Sequence, residues 1–178
     1  GPRILVADEP VSMVDASLRS SILGNLRRMK DEQDVSVIYI THDLATAYEV
    51  SDYVLVLYRG RVVEAGDAEP VFKDPKHPYT RMLVGSIPWP DPDRAWGEME
   101  AVFPKAETYD PAMIGCKFAP RCPFVHEPCT VERPPLFRVS DSRAAGCYLY
   151  SECETLERNR LEILFPKKDQ TPTSVEAQ

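Results

Sequence analysis

The chain has 178 residues, 43% of them hydrophobic and 28% charged, a balance suited to a globular protein large enough to bury one core. A formal net charge of -7 at pH 7 argues against the clustered Lys and Arg by which nucleic-acid binders grip phosphates, so no nucleic-acid partner is expected. No run approaches the ~18–20 consecutive apolar residues that span a bilayer, so any membrane association must come through a partner.

In chain order, Gly1-Pro2-Arg3 opens without an initiator Met or a signal-peptide layout, and the chain reads as a fragment or a processed piece. Arg3-Ile4-Leu5-Val6-Ala7 is a nearly continuous apolar run, expected to be a strand buried on both faces of a parallel sheet and closed by Asp8-Glu9-Pro10. From 16 to about 33, Leu18, Ile22, Leu26 and Met29 recur at helical spacing with charges outside the stripe, which predicts an amphipathic crossover helix. Residues 35–40 are β-branched and strand-like, followed by Thr41-His42-Asp43 and a short helix to about Val50. Residues 53–58 and 61–65 predict a tight hairpin turned at Arg59-Gly60.

His77-Pro78-Tyr79 opens another helix, with Pro78 at a first position that needs no N–H donor, and this helix should stop near Ser86. His77 is read as its cap. The seventeen prolines cluster after Pro70, and Pro88-Trp89-Pro90-Asp91-Pro92 reads as an extended linker and module boundary. Residues 115–153 read as loops punctuated by Cys and Pro, without the periodicity to build a core. The tail from Lys167 is polar and expected to be disordered. No internal repeat is visible.

The residue types that carry chemistry stand at strand ends. A strand reaching the carboxyl edge of an open α/β sheet delivers Asp8 and Glu9 where ligands bind in such folds. Ile4-Leu5-Val6-Ala7-Asp8-Glu9 resembles the Walker B element of ABC ATPases, although taken alone such a run is more often a strand and a turn. The resemblance implies that Asp8 holds Mg²⁺ on the nucleotide and that Glu9 orients and polarises the attacking water, the positioning that phosphoryl transfer requires. Ser12-Met13-Val14-Asp15 resembles the D-loop that crosses the dimer interface of the family. Asp15 matches, while Met13 and Val14 depart from the usual small residue and Leu. His42, after the next strand, falls where the family places a switch histidine for the γ-phosphate. A lone His there is more often a cap or a solvated residue, and the order of the three motifs reverses that balance.

No G-x-x-x-x-G-K-S/T loop and no L-S-G-G-Q-like signature occurs. In the family both lie upstream of Walker B, so the chain is expected to begin just after the signature segment and to bind ATP weakly or not at all by itself.

His77-Pro78-Tyr79-Thr80-Arg81, followed by Leu83 and Ile87-Pro88, is similar to the segment after the nucleotide-binding domain in ATP-binding subunits of oligopeptide/dipeptide ABC transporters. Cys116, Cys122, Cys129 and Cys147 resemble the cysteine-bearing C-terminal region of that subfamily, some members of which hold a 4Fe–4S cluster. Thiolates suit iron–sulfur clusters and zinc alike. Gaps of five and six residues between the first three cysteines are wider than the usual zinc knuckle, and free or disulfide-linked thiols stay open. Cys153 is the spare for a metal centre, which would staple a core-poor segment. Arg121 and Arg143 are expected to offset a cluster's negative charge.

The reading is therefore an α/β chain. Residues 1–66 are the C-terminal part of a P-loop ABC nucleotide-binding domain, 67–110 a helix and proline-rich linker, 111–155 a small loop-rich, Cys-containing module, and 156–178 a tail. The resemblance implies ATP and Mg²⁺ as cofactors and a second ABC ATPase subunit in a homo- or heterodimer. It also implies transmembrane permease subunits at the cytoplasmic face of the plasma membrane, and indirectly an extracytoplasmic peptide-binding protein. The competing readings are a non-transport ABC-type ATPase and a metal or iron–sulfur module without an ATPase role.

Overall fold

The computed structural model describes residues 1–87 and 112–166. The extended linker read at 88–92 and the polar tail read from Lys167 lie outside them. β1 (Ile4–Asp8) pairs in parallel with β2 (Ser36–Ile40), Ile4 opposite Ser36 and Asp8 opposite Ile40. A parallel pair needs a crossover connection. Here it is α1 (Ala16–Gln33), the span that the apolar periodicity predicts. α2 (Leu44–Val50) follows β2. Asp43 caps it, its Oδ1 accepting from the amides of Ala45 at 3.0 Å and Thr46 at 3.3 Å, which satisfies donors the first turn leaves free.

β1 is not buried on both faces. Alternate residues of the pair separate cleanly, so that Ile4, Val6, Ile38 and Ile40 are exposed while Leu5, Ala7, Val37 and Tyr39 are half-buried. The covered face meets α2, where the Tyr39 hydroxyl donates to Thr46 Oγ1 at 3.1 Å. A continuous apolar run signals two covered faces, but a two-stranded pair layered on one side covers only every second residue.

The second sheet is antiparallel, in the order β3-β4-β6-β5-β7. β3 (Tyr53–Tyr58) and β4 (Arg61–Asp67) form the expected hairpin. Arg59 at φ 48° and Gly60 at φ 72° give it the left-handed turn that matches strand twist. β4 runs two residues beyond the predicted end and leads into α3 (Ala68–Lys73), a short helix that the sequence reading did not foresee. α4 (Pro78–Gly85) stops where predicted.

The reading of 115–153 as coreless loops is corrected. After α5 (Glu127–Val131), β5 (Leu136–Ser140) and β6 (Arg143–Ala145) form, and β7 (Thr155–Leu156) closes the edge. β6 pairs with β4, Ala144 facing Ala65, so the proline-rich stretch does not separate two independent cores. Ala65 and Ala144 are fully buried with Leu164 beneath Leu156. Phe118 is buried against Tyr58 and Val63, its ring centroid 5.3 Å from that of Tyr58 and 5.6 Å from that of Tyr79. Such aromatic clusters combine large apolar burial with favoured tilted geometry.

A buried charge pair joins the same elements. Glu64 of β4, with no exposed surface, accepts from the amides of Lys76 at 3.0 Å and His77 at 2.9 Å and from Arg143 of β6 at 3.0 Å. Arg143 also donates to the Asp74 carbonyl at 2.6 Å. The guanidinium is therefore committed to Glu64 and the α3–α4 turn, which corrects its expected role as a counter-charge to a metal cluster.

Candidate functional site

Two groups of side chains stand out. The first is at the carboxyl ends of β1 and β2. The amide of Glu9 donates to the Ile40 carbonyl at 2.9 Å, which extends the strand pairing by one bond, and Glu9 itself turns to φ 48°. A left-handed conformation is unusual for a residue with a Cβ and is held in place by its surroundings. Ser12 supports the turn, with its amide at 3.2 Å and its hydroxyl at 2.9 Å from the Glu9 carbonyl.

The turn brings Glu9 to His42, which follows β2. Nδ1 of His42 lies 2.6 Å from Glu9 Oε1, and the imidazole is 81% exposed. The hydrogen bond and charge of Glu9 raise the His42 pKa above its ordinary 6.5. Charged, His42 donates to a carboxylate; as pH rises through the raised pKa, the charge contribution is lost. Asp8 is exposed at the end of β1, beside this pair in sequence. Asp15 stands at the N-cap of α1, exposed, and its carboxylate makes no bond to the cap amides. Asp8, Glu9 and His42 thus share one sheet edge, while Asp15 lies a turn further along the chain.

The second group is a recess lined by all four of Cys116, Cys122, Cys129 and Cys147, with His77, Phe118 and His126 among its other walls. Cys116 and Cys129 are fixed to each other through the backbone, the amide of Cys116 donating to the Cys129 carbonyl at 2.8 Å. Gly115 makes this approach possible, because a Cβ there would lie 2.3 Å from that same carbonyl oxygen. All five cysteines carry free thiols, and Cys153 is half-buried outside the recess lining.

Burial pushes the thiols of Cys116, Cys122 and Cys147 up, Cys147 to about 12, and each is raised further by neighbouring cysteines of the group. Backbone hydrogen bonds oppose the shift, at Phe118 and Ala119 for Cys116, at Phe124 for Cys122 and at Leu149 for Cys147. Burial in an apolar wall thus favours the neutral thiols, while these backbone bonds favour the thiolates. Among the described residues, no three His, Cys, Asp or Glu side chains converge closely enough to hold a single metal ion.

His77 is the expected cap of α4, Nδ1 accepting from the Tyr79 amide at 3.0 Å, and it is also a wall of the recess. Burial first, and Arg81 second, push its pKa down to about 3. Arg81 is the cation that sequence reasoning missed. It donates from Nε to the Pro75 carbonyl at 3.0 Å and from Nη2 to Tyr150 at 3.1 Å, its guanidinium lies over the Phe124 ring, and its charge favours the Cys122 thiolate. It stands in the His77–Arg81 motif. Arg121 turns to Met82 Sδ at 3.3 Å. No helix among the described residues is long and apolar enough to cross a membrane.

Residues 63–129 match the family described as oligopeptide/dipeptide transporter, C-terminal region. The chain is 39% identical over 139 residues to the oligopeptide transport ATP-binding protein OppF of Escherichia coli, covering 76% of this chain and 41% of that protein. It is 35% identical over 151 residues to the oligopeptide transport ATP-binding protein AppD of Bacillus subtilis, covering 85% of this chain and 45% of that one. The chain spans about half the length of the curated relatives it matches. These similarities bear out the kinship drawn from the motifs.

Proposed function

We propose that these residues act within an ATP-hydrolysing subunit that drives the import of di- or oligopeptides, or related solutes, through a membrane permease. The observation that carries the reading is the Glu9–His42 pair, set by two adjacent parallel strands at one sheet edge in a chain similar to peptide-transport ATP-binding proteins. On this reading the parallel pair with its helices is the C-terminal part of a P-loop ABC nucleotide-binding domain, and the Cys-containing segment follows it.

Asp8 takes Mg²⁺ together with the nucleotide phosphates. One carboxylate suffices for that, because Mg²⁺ keeps water and phosphate oxygens as its other ligands. Glu9 orients and polarises the attacking water, and Asp15 faces a second ATPase subunit. His42 serves both states of the site. It rests on Glu9 without nucleotide, and its release toward the γ-phosphate leaves the carboxylate free to accept from water. The phosphate-binding loop and signature motif that such a site also uses are not among these residues. The assembly includes permease subunits at the cytoplasmic face of the plasma membrane, supplied by an extracytoplasmic peptide-binding protein.

The cysteine recess is read as a metal centre of structural role. Four cysteines on one recess, three of them served at sulfur by backbone hydrogen bonds, suit a 4Fe–4S cluster, whose thiolates attach around the outside of a cage. A single zinc ion would need the three-donor convergence that the described residues do not make. Held there, the centre supplies ordering free energy, while Cys116, Cys122, Cys129 and Cys147 provide its ligands.

The import reading is tested by uptake of a labelled tripeptide in cells that depend on this protein. Deletion is expected to abolish uptake, and restoration with Glu9→Gln is expected to fail. Undiminished uptake after deletion contradicts peptide import.

A further inference from the structure

His126 is exposed on the rim of the cysteine recess, yet its contacts face inward. Its Nδ1 lies 3.0 Å from the Phe124 carbonyl and 3.5 Å from Cys129 Sγ. A carbonyl oxygen only accepts, so this geometry places the proton on Nδ1, and the same N–H has the sulfur as a second acceptor. The backbone of His126 holds the same cysteine from the other side, its carbonyl accepting from the Cys129 amide at 2.9 Å. The imidazole also meets Tyr148 edge-on, centroids 6.4 Å apart, next to Cys147. The ring is thus fixed between the segments that bear the third and fourth cysteines, and Cys129 is gripped at both its amide and its sulfur.

We propose that His126 is a positioning residue of the cysteine recess: its Nδ1–H, shared between the Phe124 carbonyl and the Cys129 sulfur, directs that sulfur toward the metal centre and supports it as a thiolate ligand. This rests on the metal-centre reading given above. Groups that hydrogen-bond a metal ligand orient it and tune the metal, and N–H donors to cluster sulfurs stabilise the more negative, reduced state. His126 acts through Cys129 Sγ, which its Nδ1 faces, and the four cysteine sulfurs remain the ligands. Its side chain does not cap α5, so replacing it leaves the start of that helix to the backbone.

The test uses the full-length protein isolated without oxygen, compared as wild type, His126→Phe and His126→Asn. Phe keeps a ring without the donor, and Asn keeps a donor near the Nδ1 position. Thermal midpoints establish that all three fold. The readouts are metal and sulfide content, the rate of metal loss to a chelator, and, for an iron centre, the midpoint reduction potential. His126→Phe is expected to lose metal about ten- to a hundredfold faster and to shift an iron centre's potential downward, with Asn restoring most of both. A loaded wild type with which His126→Phe is indistinguishable overturns the role of His126 and leaves the metal centre standing. A folded wild type free of metal overturns the metal-centre reading and this inference with it.

Discussion

The carboxylate–histidine edge and the cysteine recess use their surroundings in opposite ways. Glu9 and His42 meet at 2.6 Å in the open, on two strand ends, with solvent around the imidazole. On the proposed reading, removing either side chain takes little from the fold, and the pair is open to exchanging partners. The cysteines line a recess whose walls include Phe118 and His77, each 1% exposed, and its elements are tied to the hairpin by the fully buried Glu64. The lesson is that chemistry at an exposed edge is separable from stability, whereas a recess built into the packing is not.

The most damaging test of this contrast is Glu64→Ala. Removing one partner of a buried ion pair strands the other, and the expected loss is about 3–5 kcal/mol in chemical denaturation, with the cysteines becoming reactive to thiol reagents. A loss under about 1 kcal/mol would show that the brace does not hold the recess to the hairpin.

Next in size is an acid limb due to His77. Its folded pKa of about 3 lies below the ordinary 6.5, so the folded state binds its proton more weakly than the unfolded chain does. The stability that His77 contributes as a neutral group is complete above pH 6.5 and drains as pH falls toward 3, at up to about 1.4 kcal/mol per pH unit. His77→Asn keeps a capping acceptor and removes the titration. Denaturation midpoints measured between pH 7 and pH 4 should fall less steeply for the variant, and parallel curves would refute the assignment.

The smallest expected effect belongs to the open edge. His42→Ala should leave the thermal midpoint unchanged while ATP hydrolysis by the full-length protein falls. A cooperative loss of stability would erase the distinction between the two regions.

Much of this was legible in the sequence. α1, β2, the hairpin and α4 announce themselves through apolar spacing, a turn dipeptide and a proline at a helix start. Asp8, Glu9 and His42 were legible because strand ends in a βαβ unit fall side by side, so residues 33 positions apart meet without any further information. β5, β6 and β7 were not. They are short, the Arg-Ala-Ala of β6 carries no alternation, and its partner β4 lies about eighty residues earlier, at a separation that local pattern does not encode. Glu64 was hidden for a related reason. A carboxylate in the run Val62-Val63-Glu64-Ala65 is ordinary on a surface strand, and its burial becomes readable only once Arg143 is known to lie opposite the hairpin. The partners of Arg143 and Arg81 are unreadable in the sequence for the same reason, since each lies on an element distant in the chain or in a turn.

The claim that the open edge is the catalytic part of an ATPase is tested most directly by steady-state ATP hydrolysis of the full-length protein carrying Glu9→Gln, which keeps the shape and removes the charge. A loss of about a hundredfold or more with an unchanged thermal midpoint is expected. Hydrolysis at the wild-type rate would contradict it.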